Sequence, residues 1–579
     1  MGSRVVHRHP VIARTLGGAA IAAALLAASA ATSQGWQRAP AFTVVEASIP
    51  AMRTAMEEKR VTSRDLVQQS LTRIAIYEDR LNAIVTVNPR ALEEADERDR
   101  ERRAGRVRGP LHGIPVAIKD NIQTTDMRTT GGALAFADLV PPYNATVTTQ
   151  LRAAGAVIIA KTQLTELANW VAVGMPTNYN SLTGYGFNPY DPRRDPRPAT
   201  ADGRPALAPG GSSSGVGTAV SFWAANVGTE TSGSIVNPAN QNMLVGIKPT
   251  VGRVSRYGII PITADQDTAG PMARSVTDAA ILLGALEGAR PDPNDAATSA
   301  CAPPPNRDYT RFLDAGALKG ARIGVPRAFY ADPITPPGAS APQGGLNAGQ
   351  RAALGEAIEV LKTQGATVVD PADFPSIVDR DQQRNFLAWP VCSGPDVPKG
   401  KDAGCSTTYK YGMKRDFTRW LELLGGAAPV KSLGELRAWN EAHRSAGAVK
   451  YGQSNLDNAD EIDLAADRAR YEADRRKDLQ LTAAHGIDEV MQMHRLDAVL
   501  LPGPTSGGIA ARAGYPTVIV PFAMIPNAPT PAFPEGFRAS PTPYGVSFTG
   551  GPCSEPRLIA LAYAFEQATR RRRPPPLFP

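Results

Sequence analysis

Apolar positions along the chain recur first at helical spacing, then in short strand-like runs, then at helical spacing again. Within 62–80, Val67, Leu71, Ile74 and Tyr77 fall on one helical face, and Thr62 with Asp65 three residues later forms an N-cap box. Residues 84–87 predict a short strand, and a charged, solvated helix follows to about Arg103. From Gly109 onward short apolar runs alternate with turns. Segments 115–119 and 156–161 are β-rich, and 163–170 predicts a helix. The stretch 187–209, with six prolines, predicts an irregular loop. Segments 225–229 and 245–248 are further buried-strand candidates, and 276–286 predicts a helix capped by Ser275. Residues 351–364 predict a helix, and 386–478 are mostly helical with long polar turns, forming either an insertion or a cap over a site. Runs of strand length at 498–501, 517–520 and 544–548 precede a closing helix at 557–569. Strands interleaved with helices predict an α/β sheet covered on both faces.

Composition narrows this picture only slightly. The 579 residues, 42% hydrophobic and 20% charged, are ordinary for a folded protein. The 53 glycines and 51 prolines point to long, turn-rich connections. The first 30 residues carry Arg4, Arg8 and Arg14 ahead of a small apolar run at 16–31, with no acid before Glu46 and a small-residue site at Ala28-Ser29-Ala30. That pattern predicts a secretory signal over 1–30 and an exported, periplasmic or secreted, mature chain. The run is Ala-rich, broken by Gly17 and Gly18, and too short for a membrane span, so no stable membrane anchor is expected. At the other end, Arg570 to Arg573 and the prolines after them read as a solvated basic, proline-rich tail over 570–579, leaving 31–569 as the catalytic domain. The formal charge of +7 loses three arginines with the signal, which leaves no argument for a nucleic-acid partner.

Four cysteines in an exported chain favour disulfides. Cys392 with Cys405, across a Gly/Pro/Lys-rich loop, is the first candidate pair, and Cys301 with Cys553 is the long-range one. Beyond the signal only His112, His443, His485 and His494 remain, none at i, i+4 spacing, so no zinc motif of that kind is present. No metal or organic cofactor is expected.

Three segments carry candidate chemistry: Gly113-Ile114-Pro115-Val116-Ala117-Ile118-Lys119-Asp120-Asn121, Pro209-Gly210-Gly211-Ser212-Ser213-Ser214-Gly215, and Gly228-Thr229-Glu230-Thr231-Ser232-Gly233-Ser234-Ile235. In the third, an apolar run gives way to a small polar turn opening a helix, which leaves backbone N–H groups free to hold an oxyanion. Ser234 there is placed to attack a carbonyl. Its hydroxyl needs a proton acceptor. With histidine scarce, Lys119 at the end of an apolar strand is the candidate, because burial favours the neutral amine. The Gly/Ser-rich loop offers a second serine between them.

Together these segments closely resemble the amidase signature family, from about 62 to 569 and most strongly over 109–277, where Gly246-Ile247-Lys248-Pro249-Thr250 and Asp267-Thr268-Ala269-Gly270-Pro271 also match. The resemblance implies a single large α/β domain with a mixed central sheet. It further implies Lys119 as base, Ser212 as bridging serine with a cis peptide bond, and Ser234 as nucleophile. The backbone amides of Thr231, Ser232, Gly233 and Ser234 become the oxyanion hole. The activity implied is cleavage of a carboxamide bond in a peptide amide or an aryl or alkyl amide, without a cofactor. Two departures stand out: the interval from Ser212 to Ser234 is about two residues tighter than the family pattern, and 198–209 is extra loop beside the site. Glu230 and Asp267 read as structural, and Asp120 and Asn121 as fixing the Lys119 loop. Glu166, Asn169 and Trp170 read equally as pocket lining or as helix packing.

Two rival activities remain. Gly211 to Gly215 satisfies G-x-S-x-G with Ser213 as an α/β-hydrolase nucleophile, although Arg204 to Pro209 makes a poor preceding strand. An amidotransferase component working on aminoacyl-tRNA belongs to the same family, and the signal argues against it.

Overall fold

Eleven strands, most of them buried along their length, hydrogen-bond into one mixed sheet. The computed structural model describes Gly2 and residues 42–579, so the segment read as a signal lies, apart from Gly2, outside the described residues. In chain order the strands are β1 (Ile84–Val87), β2 (Pro115–Lys119), β3 (Val157–Thr162), β4 (Tyr179–Asn180), β5 (Gly184–Tyr185), β6 (Ala225–Glu230), β7 (Val245–Lys248), β8 (Thr268–Ala273), β9 (Arg322–Gly324), β10 (Thr367–Val369), β11 (Ala498–Pro502), β12 (Thr517–Ile525) and β13 (Thr542–Thr549). The large sheet runs β1-β3-β2-β6-β8-β7-β12-β13-β11-β9-β10, and β4 with β5 forms a separate hairpin.

β2 pairs in parallel with both β3 and β6, with Ile118 opposite Val227. Their C-terminal ends therefore share one edge, where open α/β sheets place their ligand sites. Helix Ser63–Leu81 is capped as its sequence predicts: Thr62 Oγ1 accepts from Asp65 N–H at 3.1 Å, and the Asp65 carboxylate accepts from Thr62 N–H at 2.8 Å. Its apolar face, with Val67, Ile74 and Leu81, packs in one cluster with Ala117 and Val157 of β2 and β3. The expected helix after Ser275 is Val276–Leu286, and the closing helix is Glu555–Thr569.

Several expectations need correction. Residues 163–170 do not form an α-helix. Glu166–Asn169 is a tight turn in which Leu167, Ala168 and Asn169 take positive φ of 43°, 57° and 72°. The Leu167 N–H donates to Gly131 O at 2.8 Å, so this backbone is satisfied across the fold and not within a helix. The hydrophobic pattern does not foresee β8, because Pro271 interrupts it. β7 pairs with β8 only at Ala273 and Met272, before Pro271 is reached.

The 570–579 end is solvated only in part. Arg571 pairs with Glu356, and Arg572 with Glu46 at 2.6 Å. Phe578 is buried edge-on against Tyr77, and Arg73 donates to the Pro579 carbonyl at 2.7 Å. Both cysteine pairs close, Cys392 with Cys405 and Cys301 with Cys553. Residues 386–478 contribute Thr408–Gly412, Thr418–Leu424, Leu433–Ala442, Ser454–Asp460 and most of Arg468–Leu479. Their apolar side chains, among them Tyr409, Phe417 and Trp420, share a cluster with Phe136 and Trp170. No helix of the described residues is long and apolar enough to cross a membrane.

Candidate active site

Every residue of β2 is buried, and Lys119 at its end has no exposed surface. Burial penalises the ammonium and pushes its pKa down to about 7, against the opposing pull of the Asp267 and Glu230 charges. Nζ lies 2.9 Å from Thr229 Oγ1, 3.5 Å from Thr229 O and 3.0 Å from Ser212 Oγ. Asp120 turns away from it: its carboxylate pairs with buried Lys161 at 3.1 Å and accepts from Thr130 N–H at 3.0 Å. Asn121 Nδ2 donates to Thr229 Oγ1 at 3.0 Å and to Ile260 O at 3.3 Å. Thr229 is thus a hub beneath Lys119 that the sequence does not single out.

The Gly/Ser loop reaches the same point. Gly210 and Gly211 take φ of 84° and 53°, and a Cβ on Gly211 would come within 2.5 Å of Pro238. This left-handed pair swings Ser212 inward. Ser212 Oγ sits 2.8 Å from Ser234 Oγ, so the three side chains touch in sequence: amine, hydroxyl, hydroxyl. The cis bond implied at Ser212 is not found. The cis peptides among the described residues precede Pro371 and Pro531, and the two glycines turn the chain instead. Between Ser212 and Ser234 the chain makes one buried helical turn, Val216–Ala219.

Ser213 is committed elsewhere. Its Oγ donates to Thr229 O at 3.0 Å and accepts from Thr229 N–H at 3.2 Å. His485 is held by Asp379 and Glu489, and His443 stacks on Trp439, so neither serves Ser213 as a base.

After β6 the chain turns through Thr231 to Ser234 into helix Val236–Gln241. Glu230 folds back to accept from Ile235 N–H at 2.7 Å and Val236 N–H at 3.0 Å, which occupies the first donors of that helix. Among the described residues, no protein acceptor takes the N–H of Thr231, Ser232, Gly233 or Ser234. Gly233 takes φ 89°, and Gly507 approaches so closely that a Cβ there would meet Gly233 Cα at 2.8 Å.

Thr231 is fixed from two sides. Its hydroxyl donates to Asp267 Oδ1 at 2.5 Å, and its carbonyl accepts from Gln266 Nε2 at 3.1 Å and Tyr409 OH at 3.3 Å. Asp267 also accepts from Ile262 N–H and Thr263 N–H, and burial pushes its carboxyl up to about 7. Glu230 and Asp267 therefore act on backbone and hydroxyl groups of the site itself. Trp170 packs edge-on to Tyr409 with ring centres 4.9 Å apart. Glu166 accepts from Ser181 N–H at 2.7 Å, and burial raises its carboxyl to about 7. Among the described residues, no group of three or more His, Cys, Asp or Glu side chains is placed to hold a metal ion.

The chain has relatives among known proteins. The profile of the family described as Amidase matches residues 65–559. A probable amidase of Arabidopsis thaliana is 33% identical over 541 residues, covering 92% of each chain. The crystal structure of native peptide amidase from Stenotrophomonas maltophilia is 37% identical and superposes with a TM-score of 0.75, over 92% of this chain and 98% of that one. A glutamyl-tRNA(Gln) amidotransferase subunit of Chloroflexus aggregans is 38% identical over 326 residues, which is 56% of this chain and 59% of that one.

Proposed function

The chain belongs to the amidase signature family, a hydrolase acting on amide C–N bonds, and from that premise we propose that it cleaves carboxamides by a serine acyl-enzyme route. Ser234 Oγ attacks the amide carbonyl carbon. Its proton passes to Ser212 Oγ while the Ser212 proton moves to the neutral amine of Lys119. The developing oxyanion takes the free N–H groups of Thr231, Ser232, Gly233 and Ser234. As the C–N bond breaks, the relay runs backward and Ser212 delivers a proton to the leaving nitrogen. Water then attacks the Ser234 ester through the same relay, releasing the acid and restoring all three groups.

The observation that carries this reading is the buried line of contact from Lys119 Nζ through Ser212 Oγ to Ser234 Oγ, at 3.0 and 2.8 Å. The near-neutral Lys119 supports it, since a base must be uncharged to accept. The substrate class is a peptide amide or an aryl or alkyl amide, in keeping with the likeness to a peptide amidase across nearly the whole chain. Residues 31–579, assayed against peptide amides, anilides and short aliphatic amides, are expected to hydrolyse at least one class, and the Ser234→Ala variant is expected to lose about a thousandfold or more in kcat. Parental turnover in that variant ends the proposal.

A second reading, a protein modifying aminoacyl-tRNA as part of an amidotransferase, draws on the likeness to amidotransferase subunits, over 56% of this chain in one case and 91% in another. Turnover of a simple amide by the isolated chain, without tRNA or a partner, removes it. Export is also proposed, from the pattern of residues 1–30. A mature N-terminus after Ala30 on protein recovered outside the cytoplasm is the expected result, and an intact Met1 on cytoplasmic protein the contrary one.

A further inference from the structure

The bridging hydroxyl of Ser212 must stay within hydrogen-bond reach of two partners at once, yet it follows two glycines in left-handed conformations. Something outside the loop has to hold it. Thr165 and Asn178 lie far from Ser212 in sequence, on either side of the Glu166–Asn169 turn and the chain leading to β4, and both are fully buried. The peptide preceding Ser212 is held through the Gly211 carbonyl, which accepts from Thr165 Oγ1 and from Asn178 Nδ2, each at 3.1 Å. The peptide following Ser212 is held through the Ser212 carbonyl, which accepts from Thr165 N–H at 3.2 Å. Asn178 Nδ2 also reaches the carbonyls of Gly210 at 3.1 Å and Ser213 at 3.2 Å. The two residues are joined to each other, because Asn178 N–H donates to Thr165 Oγ1 at 2.8 Å. Asn178 itself takes φ 59°, a conformation that Asn tolerates better than most residues.

We infer that Thr165 and Asn178 form a positioning pair that fixes both peptide planes around Ser212 and so keeps its hydroxyl between Lys119 and Ser234. The inference rests on the relay described above. Both residues bond to the loop's carbonyls and to each other, not to Lys119 Nζ, Ser212 Oγ or Ser234 Oγ, so they act through Ser212. A displacement of about 1 Å in a catalytic group costs on the order of 100-fold in rate. Binding of substrate, by contrast, does not depend on where Ser212 Oγ lies.

The test is a mutant cycle read on an activated ester, so that weak turnover stays measurable. Asn178→Ala and Thr165→Val are each expected to lower kcat by about 100-fold with KM near the parental value, while Thr165→Ser, which keeps the hydroxyl, retains most of the activity. In a Ser212→Ala background, adding Asn178→Ala or Thr165→Val should change kcat by less than about twofold, because the residue they position is gone. Two results overturn the inference. One is parental kcat in both single variants while Ser212→Ala is crippled. The other is a further loss in the Ser212→Ala background equal to the loss in the parent, which marks a general structural role. Failure of the relay reading looks different: Ser212→Ala alone then turns over at the parental rate, and the inference falls with it. Should Asn178→Ala fail to fold, the Thr165 series decides.

Discussion

The floor of the site and its cover are held by different forces. The floor, made by β2, β3, β6 and the turn after β6, is buried along its strands and reaches the surface only at Ser232 and Gly233 of the turn. Lys119, Asp120, Lys161 and Ser213 have no exposed surface, and each bonds to other buried groups: Lys119 to the Thr229 and Ser212 hydroxyls, Asp120 to Lys161, and Ser213 to the Thr229 backbone. Residues 386–478, expected as an insertion or a cap and here called the cover, share a buried apolar cluster and add to it part-exposed ion pairs and aromatic contacts. Arg415 reaches Asp265 at 3.2 Å, Tyr471 OH donates to the same carboxylate at 2.9 Å, Tyr471 stacks on Tyr411, and Arg437 bridges Asp457 and Asp460. Ion pairs near water contribute little each and weaken with salt, whereas buried pairs cost several kcal/mol to break. The comparison teaches that the proposed relay lies among fully buried groups, whereas the cover is held in part by ion pairs that salt weakens.

The contrast breaks most sharply if the floor tolerates change. Lys119→Met removes the base from a site shaped for an apolar stem. It is expected to lower kcat by about a thousandfold or more while raising Tm, since the buried amine opposes folding. The pH dependence follows from the sign of the shift. Lys119 accepts protons only when neutral, so kcat/KM of the parent should fall as pH drops through about 7 and level off above it. For stability, the unfolded chain binds the extra proton between the folded value of about 7 and the ordinary lysine value, so this group's contribution rises with pH across that window. Lys119→Met should flatten both trends. A profile that keeps its acidic limb in the variant assigns the base elsewhere.

A smaller effect is expected from the cover's own staple. Cys392 and Cys405 lie 13 residues apart, and closing a loop of that length is worth about 3 kcal/mol of stability. Paired Cys392→Ser and Cys405→Ser substitutions should lower the temperature at which the cover becomes protease-sensitive while leaving the Lys119 pH profile in place. A shifted profile would mean that floor and cover are one unit. The mildest expected change is Tyr409→Phe. Thr231 O keeps its bond from Gln266, so losing the Tyr409 hydroxyl should reduce kcat by about fivefold, the scale of one neutral hydrogen bond. Steady-state kinetics on the best amide reads it.

The same contrast governs what is legible in the sequence. Strand ends and small-residue turns are local, so Lys119 and Ser234 stand out, the family resemblance picks Ser212 from among the serines of its loop, and the structure brings all three into contact. Thr165, Asn178 and Thr229 do not, because what they do is reach carbonyls and side chains distant in sequence, and no spacing marks that. The stretch 163–170 has the alternation of a helix, yet a hydrogen bond from Leu167 to Gly131 overrides local preference. Pro271 hides β8 by breaking the pattern from which strands are recognised. The arginines near the C-terminal end look solvated until their partners, Glu46 and Glu356, arrive from elsewhere in the fold.

The carbonyl of Thr231 is where the two regions meet, since one of its two props comes from the loop ahead of β8 and the other from the helices above. A displacement of Tyr409 would withdraw one prop and leave Gln266 alone to hold a peptide unit on which the oxyanion is proposed to rest. Rearrangement of the upper helices would then be felt as slower conversion.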